Sequence, residues 1–321
     1  MLIAQAPLRV SLFGGGSDLP AFLEKHDGAV LSFAINRRVY LIGHPFTHRS
    51  GILLKYSNTE DVQNSSELKH PIAREVFNRY ALENMDVAVM SDVPAGTGLG
   101  SSSSFTVACL AFVAGVNKFE RSSTELAMEA CEIEINVLGE PIGYQDQWAS
   151  AVGGINVLEF SSRGVDVRPV WLVDSTIRDL ESNIFLTPIG GPRSASELLK
   201  SQSRDLHVDS NAVILTRRLA HLVPQGERAL AHNLDDLGPL LDEAWRLKRE
   251  LVAGVTNPEV DALYKMGLDS GATGGKLLGA GGGGYMAFYV PSEKHEMFSA
   301  NVKQRLTFKV SLEGAGVIHE S

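Results

Sequence analysis

Two α+β domains are expected of this chain, from its length, from the way its strands are joined and from a polar stretch past its middle. A chain of 321 residues is too long for one compact core and suits two of ordinary size. The first part reads as strands whose connections are too short for crossover helices, which makes antiparallel pairing the simplest result. Asp174 to Ser182 is polar and weakly patterned, and it separates that part from a second one rich in helix. The expected domains are therefore 1–180 and 181–321.

Leu2 to Phe13 reads as a strand ending in Gly14-Gly-Gly-Ser-Asp18, a turn in which the backbone lies close to something. Ala29 to Ile35, Val39 to His44 and Ile52 to Tyr56 alternate as further strands. Glu67 to Tyr80 has helical spacing, and Val87 to Met90 completes a sheet. After a glycine-rich turn, Thr106 to Val116 is apolar and small enough for a buried helix. A second helix is expected from Thr124 to Leu138, opened by the capping-box pair Ser122 and Glu125 and stopped by Gly139. Gly143 to Gln147 leads into an amphipathic segment reaching Val152, and a Gly-Gly break precedes a strand from Ile155 to Phe160. Asn183 to Thr187 is another strand, and Ser194 to Glu197 caps another helix. Ala212 to Met266 is mainly helical, with breaks near Pro224, Leu237 and Thr256. The glycine-dense run Gly271 to Gly284 feeds a strand from Tyr285 to Val290, after which a helix and two short strands finish the chain.

Composition narrows the function. With 44% hydrophobic and 21% charged residues the chain is globular. A net charge of −9 with scattered basic residues argues against nucleic acid and against an anionic membrane surface as partners. Cys109 and Cys131 lie in apolar helical patterns and read as core residues, with no disulfide framework or metal-type spacing. Met1 to Ala6 leads straight into strand-like sequence without a signal pattern, and no apolar run approaches the ~20 residues of a membrane span. The expected compartment is the cytoplasm.

The chemistry centres on Asp92 to Phe105, Asp-Val-Pro-Ala-Gly-Thr-Gly-Leu-Gly-Ser-Ser-Ser-Ser-Phe. Gly96, Gly98 and Gly100 can take positive φ and approach a ligand, and the N–H groups that open the next helix have no internal partner. A phosphate suits such a turn, because the helix dipole and the serine hydroxyls both favour it. The turn is not a Walker A loop; the nearest attempt, Gly275-Lys276, has Ser270 and Leu277 where a glycine and a hydroxyl belong. Nor is it a dinucleotide fingerprint, which wants glycine or alanine at Ser101. Phosphoryl transfer from a triphosphate held there needs neutralised charge, an aligned acceptor and a proton acceptor. Ser102, with Glu134 or the competing Glu132, can give Mg²⁺ the few hard oxygen ligands it takes from a protein. Asp146, set between glutamines after Gly143, can accept the hydroxyl proton. Arg9 can stabilise the transferred charge or orient Asp146.

These segments resemble the GHMP kinases, the superfamily of galactokinase, homoserine kinase and mevalonate kinase. Pro94-Ala-Gly-Thr-Gly-Leu-Gly-Ser-Ser-Ser-Ser104 is similar to their central nucleotide loop, which implies that Pro94, Gly96, Gly98, Leu99, Gly100, Ser101, Ser102 and Ser103 hold ATP. Ala6-Pro-Leu-Arg-Val-Ser-Leu-Phe-Gly-Gly-Gly-Ser-Asp18 resembles their first motif, implying Arg9 at the reaction centre and Gly15, Gly16, Ser17 and Asp18 at the substrate. Gly143-Tyr-Gln-Asp-Gln147 is similar to the galactokinase segment with the catalytic aspartate. Gly279 to Gly284 resembles the third glycine motif, with Gly282 assigned to the substrate. The resemblance places Glu134 in the metal shell. It implies ATP and Mg²⁺, a small sugar or sugar phosphate as partner, and a ribosomal-protein-S5-like domain followed by a ferredoxin-like one. Galactokinases carry Gly-Glu-His-x-Asp where this chain has Gly14-Gly-Gly-Ser-Asp18, which speaks against galactose. That triple glycine, with Gly28-Ala-Val-Leu-Ser32, Tyr144-Gln-Asp-Gln-Trp148 and Arg193-Ser-Ala-Ser-Glu197, looks most like D-glycero-D-manno-heptose 7-phosphate kinases, which act on an anomeric hydroxyl. Arg193 and Ser194, at a helix start, are then expected to receive the phosphate already on the acceptor.

Overall fold

The structure is a computed structural model, and it describes residues 1–190 and 195–320. Its hub is β1 (Leu2–Phe13), buried along almost its whole length and touched by helices from both halves of the chain. A short helix, α1 (Pro20–Leu23), leads to β2 (Gly28–Pro45), which is one strand of 18 residues where the sequence pattern suggests two. Asn36 to Arg38 break the apolar alternation without ending the strand. Pairing with β1 jumps there, from Pro7 opposite Arg38 to Leu8 opposite Ile35, so the backbone bulges.

The chain continues through β3 (Ile52–Lys55), β4 (Thr59–Val62), α2 (Pro71–Arg79), β5 (Met85–Ser91), α3 (Ser101–Val116), α4 (Ser123–Cys131), α5 (Gln145–Val152), β6 (Ile155–Ser161) and β7 (Gly164–Pro169). Helix α2 begins four residues later than its apolar spacing suggests. Pro71 is pre-set for a first helical turn, and His70 Nδ1 caps it by accepting from the Ala73 amide at 3.4 Å. The expected capping box opens α4, where Ser122 Oγ accepts from Glu125 N at 3.2 Å and Glu125 accepts from Ser122 N at 2.8 Å.

Then come α6 (Asp174–Asn183), β8 (Ile184–Ile189), α7 (Ala195–Val208), α8 (Ser210–His221), α9 (Val223–His232), α10 (Leu237–Leu251), α11 (Pro258–Asp269), β9 (Gly274–Leu277), β10 (Gly284–Tyr289), α12 (His295–Asn301) and β11 (Gly316–Glu320). The polar stretch after residue 173 is thus a helix. It is tied down through Glu181, which accepts from Lys309 Nζ at 2.7 Å and Val310 N at 2.8 Å.

Among the described residues, eight strands form one sheet, ordered β11-β1-β2-β5-β3-β4 with β6 and β7 added alongside β2. The antiparallel expectation holds for β1 with β2 and β2 with β5 but fails for β3 and β5, which run parallel. The hairpin partner β4 and helix α2 lie between those two in sequence and supply the crossover. A second sheet, β8-β10-β9, is antiparallel. Strand β9 was hidden in the glycine-dense run. Its glycines admit α10 so closely that a Cβ on Gly274 would lie 1.9 Å from the Gly238 carbonyl oxygen. The last strand, β11, returns to pair with β1.

The bulge opposite Pro7 positions the site. Pro7 has no N–H for the ladder, and its carbonyl instead accepts from Ser104 Oγ at 2.8 Å and Ser150 Oγ at 2.9 Å, which anchors α3 and α5 to β1. Replacing either serine by alanine is expected to cost about 1 kcal/mol. The double replacement leaves a buried carbonyl unpaired and should cost more than the sum of the two. A urea-denaturation double-mutant cycle with strictly additive losses would rule out the shared acceptor.

Candidate active site

The end of β1, the first turns of α3 and α5, and the loop after β9 converge on a cavity of about 430 Å³. Its floor is the glycine turn. Gly96, Gly98 and Gly100 have φ of 76°, 79° and 78°, a region that disfavours any side chain. Gly100 is the N-cap of α3, and the first helical bond there runs from Ser104 N to Gly100 O at 2.9 Å. The amides of Ser101, Ser102 and Ser103 therefore stand ahead of the helical ladder, where the dipole favours an anion. The second glycine loop backs directly onto this turn. A Cβ on Gly98 would sit 2.6 Å from Leu278 O, and one on Gly279 would sit 2.4 Å from Gly98 Cα.

Arg9 and Asp146 form a bidentate pair beside the turn. The guanidinium donates from Nε to Oδ1 and from Nη2 to Oδ2, both at 2.7 Å, while Nη1 donates to the Gly98 carbonyl at 2.6 Å. The arginine side chain is 4% exposed and the aspartate 24%, so the cation is locked in the wall and the carboxylate faces the cavity. A Cβ on Gly100 would lie 3.4 Å from Asp146 Oδ2, which puts the carboxylate within van der Waals reach of the glycine turn.

Asp18 sits further along the wall. Its Oδ1 accepts from Gly16 N at 2.9 Å and Gln145 Nε2 at 3.2 Å, and its Oδ2 from Gln145 N at 3.2 Å. Burial pushes its carboxyl above the usual range, and those amides offset part of the rise. Gln145 Oε1 is buried and has no partner among the described residues, so it is available as an acceptor.

The backbone turns Glu132 and Glu134 to opposite sides. After α4 the helix widens into a π turn over Glu132–Val137, and Leu138 N bonds Ile133 O at 2.9 Å. Glu134 turns inward to 1% exposure, whereas Glu132 stays outside and pairs with Arg79 at 2.6 Å. Glu134 accepts from Ser102 Oγ at 3.3 Å and Gln147 Nε2 at 2.8 Å. Burial pushes its carboxyl up to about 7.

Several expected contacts lie elsewhere. Ser17 is fully buried, and its hydroxyl donates to Gly14 O at 2.8 Å and Ala29 O at 3.0 Å; it braces the turn instead of facing a substrate. Pro94 is exposed outside the cavity, its carbonyl accepting from Thr97 Oγ1 at 3.0 Å. Leu99 is wholly buried, and it serves through its carbonyl, which accepts from Arg9 N at 3.1 Å. Gly282 faces away, held by Val255 O at 2.9 Å and by Asn257 Nδ2 at 3.1 Å, while its neighbours Gly281 and Gly283 line the cavity. Arg193 and Ser194 lie outside the described residues. Gly15, Gly16, Gly96, Gly98, Gly100 and Ser101 to Ser103 do line the cavity.

Two lysines line the cavity wall; the sequence reading passed over Lys248 and met Lys276 only as a failed Walker A lysine. Lys248 on α10 donates to Gly279 O; Lys276 on β9 donates to Ser11 O at 3.1 Å and Leu12 O at 2.8 Å. Burial, with the Arg9 charge adding to it, brings Lys248 down to about 8. Lys276 falls well below the usual lysine range, through burial first and then the Lys248 and Arg9 charges. The signal for Lys248 was present, since it continues the stripe Leu237, Leu241, Ala244 and Leu251 at helical spacing, all buried.

Comparison with known proteins finds matches in both halves of the chain. Residues 68–154 match the model described as GHMP kinases N terminal domain, and residues 227–305 match that described as GHMP kinases C terminal. The chain is 28% identical over 320 residues to a D-glycero-alpha-D-manno-heptose 7-phosphate kinase of Campylobacter jejuni, covering 94% of this chain and 93% of that protein. It is 26% identical to a mevalonate kinase of Pyrococcus horikoshii, covering 93% and 91%. The fold superimposes with a TM-score of 0.81 on the crystal structure of a D-glycero-D-manno-heptose 1-phosphate kinase from Bacteroides thetaiotaomicron, at 23% identity over the whole of both chains.

Proposed function

The chain belongs to the GHMP kinases, and from that premise we propose that it transfers a phosphoryl group from ATP to the anomeric hydroxyl of a sugar phosphate, with D-glycero-D-manno-heptose 7-phosphate as the favoured acceptor. The observation that carries this reading is the Asp146 carboxylate, clamped by Arg9 at 2.7 Å within reach of the Gly96–Ser103 turn. In this reading residues 1–180 supply the nucleotide turn and the base, and residues 181–321 close the cleft.

The amides and hydroxyls of Ser101 to Ser103 hold the triphosphate at the helix start. Asp146 accepts the hydroxyl proton as the acceptor oxygen attacks, and Arg9 keeps that carboxylate aimed while adding positive charge. Asp18 and Gln145 Oε1 orient the acceptor's other hydroxyls. That wall of hydrogen-bond acceptors supports a polyhydroxylated sugar over mevalonate, which has only two hydroxyls and brings a carboxylate toward Asp18.

Ser102 and Glu134 suit Mg²⁺: a hydroxyl and a buried carboxyl 3.3 Å apart provide the two protein oxygens such an ion needs beside its waters. A carboxyl raised by burial is also one that a cation restores to its charged form. When bound, the ion neutralises phosphate charge. Ser102→Ala is expected to raise the Mg²⁺ concentration for half-maximal rate by about tenfold, in line with the loss of a supporting ligand. An unchanged requirement in a magnesium titration would remove Ser102 from the metal shell.

The reaction is tested by ADP release with heptose 7-phosphate, galactose, fucose and mevalonate, followed by ³¹P NMR of the product. Heptose 7-phosphate is expected to give the highest kcat/KM and a phosphate on the anomeric carbon. A preference for mevalonate, or no release above background with any sugar, would overturn the reading.

A further inference from the structure

Asp146 neutralises Arg9, but nothing comparable neutralises the two lysines opposite. Among the described residues no carboxylate lies within 4.0 Å of either ammonium, although both lysines line the cavity. An ammonium held partly or wholly out of water without a counter-charge, as Lys248 and Lys276 are, is costly unless the ligand supplies one. The two lysines differ in what is left over. Lys276 uses two of its N–H bonds on β1 carbonyls. Lys248 uses one, on Gly279 O, and has two that no described residue takes.

Its position says which anion it meets. Arg9 is bonded to Gly98 O and Lys248 to Gly279 O, and those two glycines touch. The cations therefore flank one seam, directly beside the turn that holds the triphosphate. We propose that Lys248 is a further catalytic residue, whose ammonium contacts the phosphoryl group while it is between nucleotide and acceptor. The proposal rests on the kinase reading and deepens it. As the acceptor oxygen bonds to phosphorus, its proton passes to Asp146, the bond from phosphorus to the β-phosphate oxygen breaks, and that oxygen leaves on ADP with the electron pair. Lys248 keeps its proton throughout and acts by charge.

Lys248→Met, Lys248→Arg and wild type are compared by titration with ADP·Mg²⁺, with and without aluminium fluoride as a mimic of the transferring group. Turnover is measured in parallel on heptose 7-phosphate and on the same heptose without its phosphate. Lys248→Met should bind ADP·Mg²⁺ as wild type does, lose most of the tightening that fluoroaluminate brings, and drop in kcat by about 10²-fold on both acceptors. Lys248→Arg should recover part of each loss. If Lys248→Met weakens ADP·Mg²⁺ as much as the fluoroaluminate complex, the lysine holds nucleotide or structure and the proposal is wrong. If turnover falls only with the phosphorylated acceptor, the ammonium meets the acceptor's own phosphate and the proposal is again wrong. A wild-type protein that binds no ADP·Mg²⁺ removes the kinase reading itself, a failure visible before any variant is made.

Discussion

Asp146→Asn is expected to lower kcat by about 10²–10⁴-fold, the range a positioned general base supplies, with ATP binding retained. Asparagine has the same shape and keeps one carbonyl oxygen for the Arg9 guanidinium. Its other atom is an NH₂, which meets Arg9 donor to donor where two 2.7 Å bonds now stand. The substitution therefore removes the proton acceptor and loosens the clamp together. Arg9→Lys separates the two effects: it leaves Asp146 able to take a proton but cannot make the two-pronged contact. If Asp146 is the base, Asn must be far worse than the Lys variant at Arg9. Asp146→Asn turning over at the wild-type rate in an ADP-release assay would strip position 146 of its role.

The pair at the heart of that prediction was legible through the likeness of its two segments to the kinase motifs more than through residue type. Taken alone, an aspartate after a glycine reads as a turn former and an arginine on a strand as a surface ion pair. The glycine turn was legible from its residues alone, since three alternating glycines followed by serines constrain the backbone whatever surrounds them. What escaped notice depends on long-range packing. Whether Glu132 or Glu134 faces inward is decided by a π turn, which periodicity at 3.6 residues cannot register. Ser17 carries the same polar label as Asp18 beside it, yet its hydroxyl is consumed by Gly14 and Ala29, two backbone groups brought together only by the β1–β2 pairing. The parallel contact of β3 with β5 was missed because it requires β4 and α2 to be read together as a crossover. Lys248 was readable as a lysine on an apolar stripe, but only its contact with Gly279 shows what it faces.

The seam between the two glycine loops should be the site's least tolerant backbone, and Gly98→Ala tests it. At φ 79° an alanine is already strained, and its Cβ would stand 2.6 Å from Leu278 O, a backbone atom that cannot swing aside. Gly139 is the natural control: its φ is 67°, but an added Cβ meets nothing within 4 Å. Gly139→Ala should therefore cost only the backbone conformation, about 1 kcal/mol. Gly98→Ala bears that cost and must also part the two loops, for a total of about 3 kcal/mol or more. The protein can absorb the excess by melting earlier, by roughly 3–5 °C, or by letting the turn shift away from Leu278. In the second case the amides of Ser101 to Ser103 and the Gly98 carbonyl held by Arg9 move with it, and the loss surfaces as nucleotide affinity weakened by about tenfold or more. Thermal unfolding and ADP titration together capture both routes. Gly98→Ala matching Gly139→Ala in both measurements would mean that the contact between the loops does not position the nucleotide turn, and that Arg9 and Lys248 do not share one phosphate-facing seam.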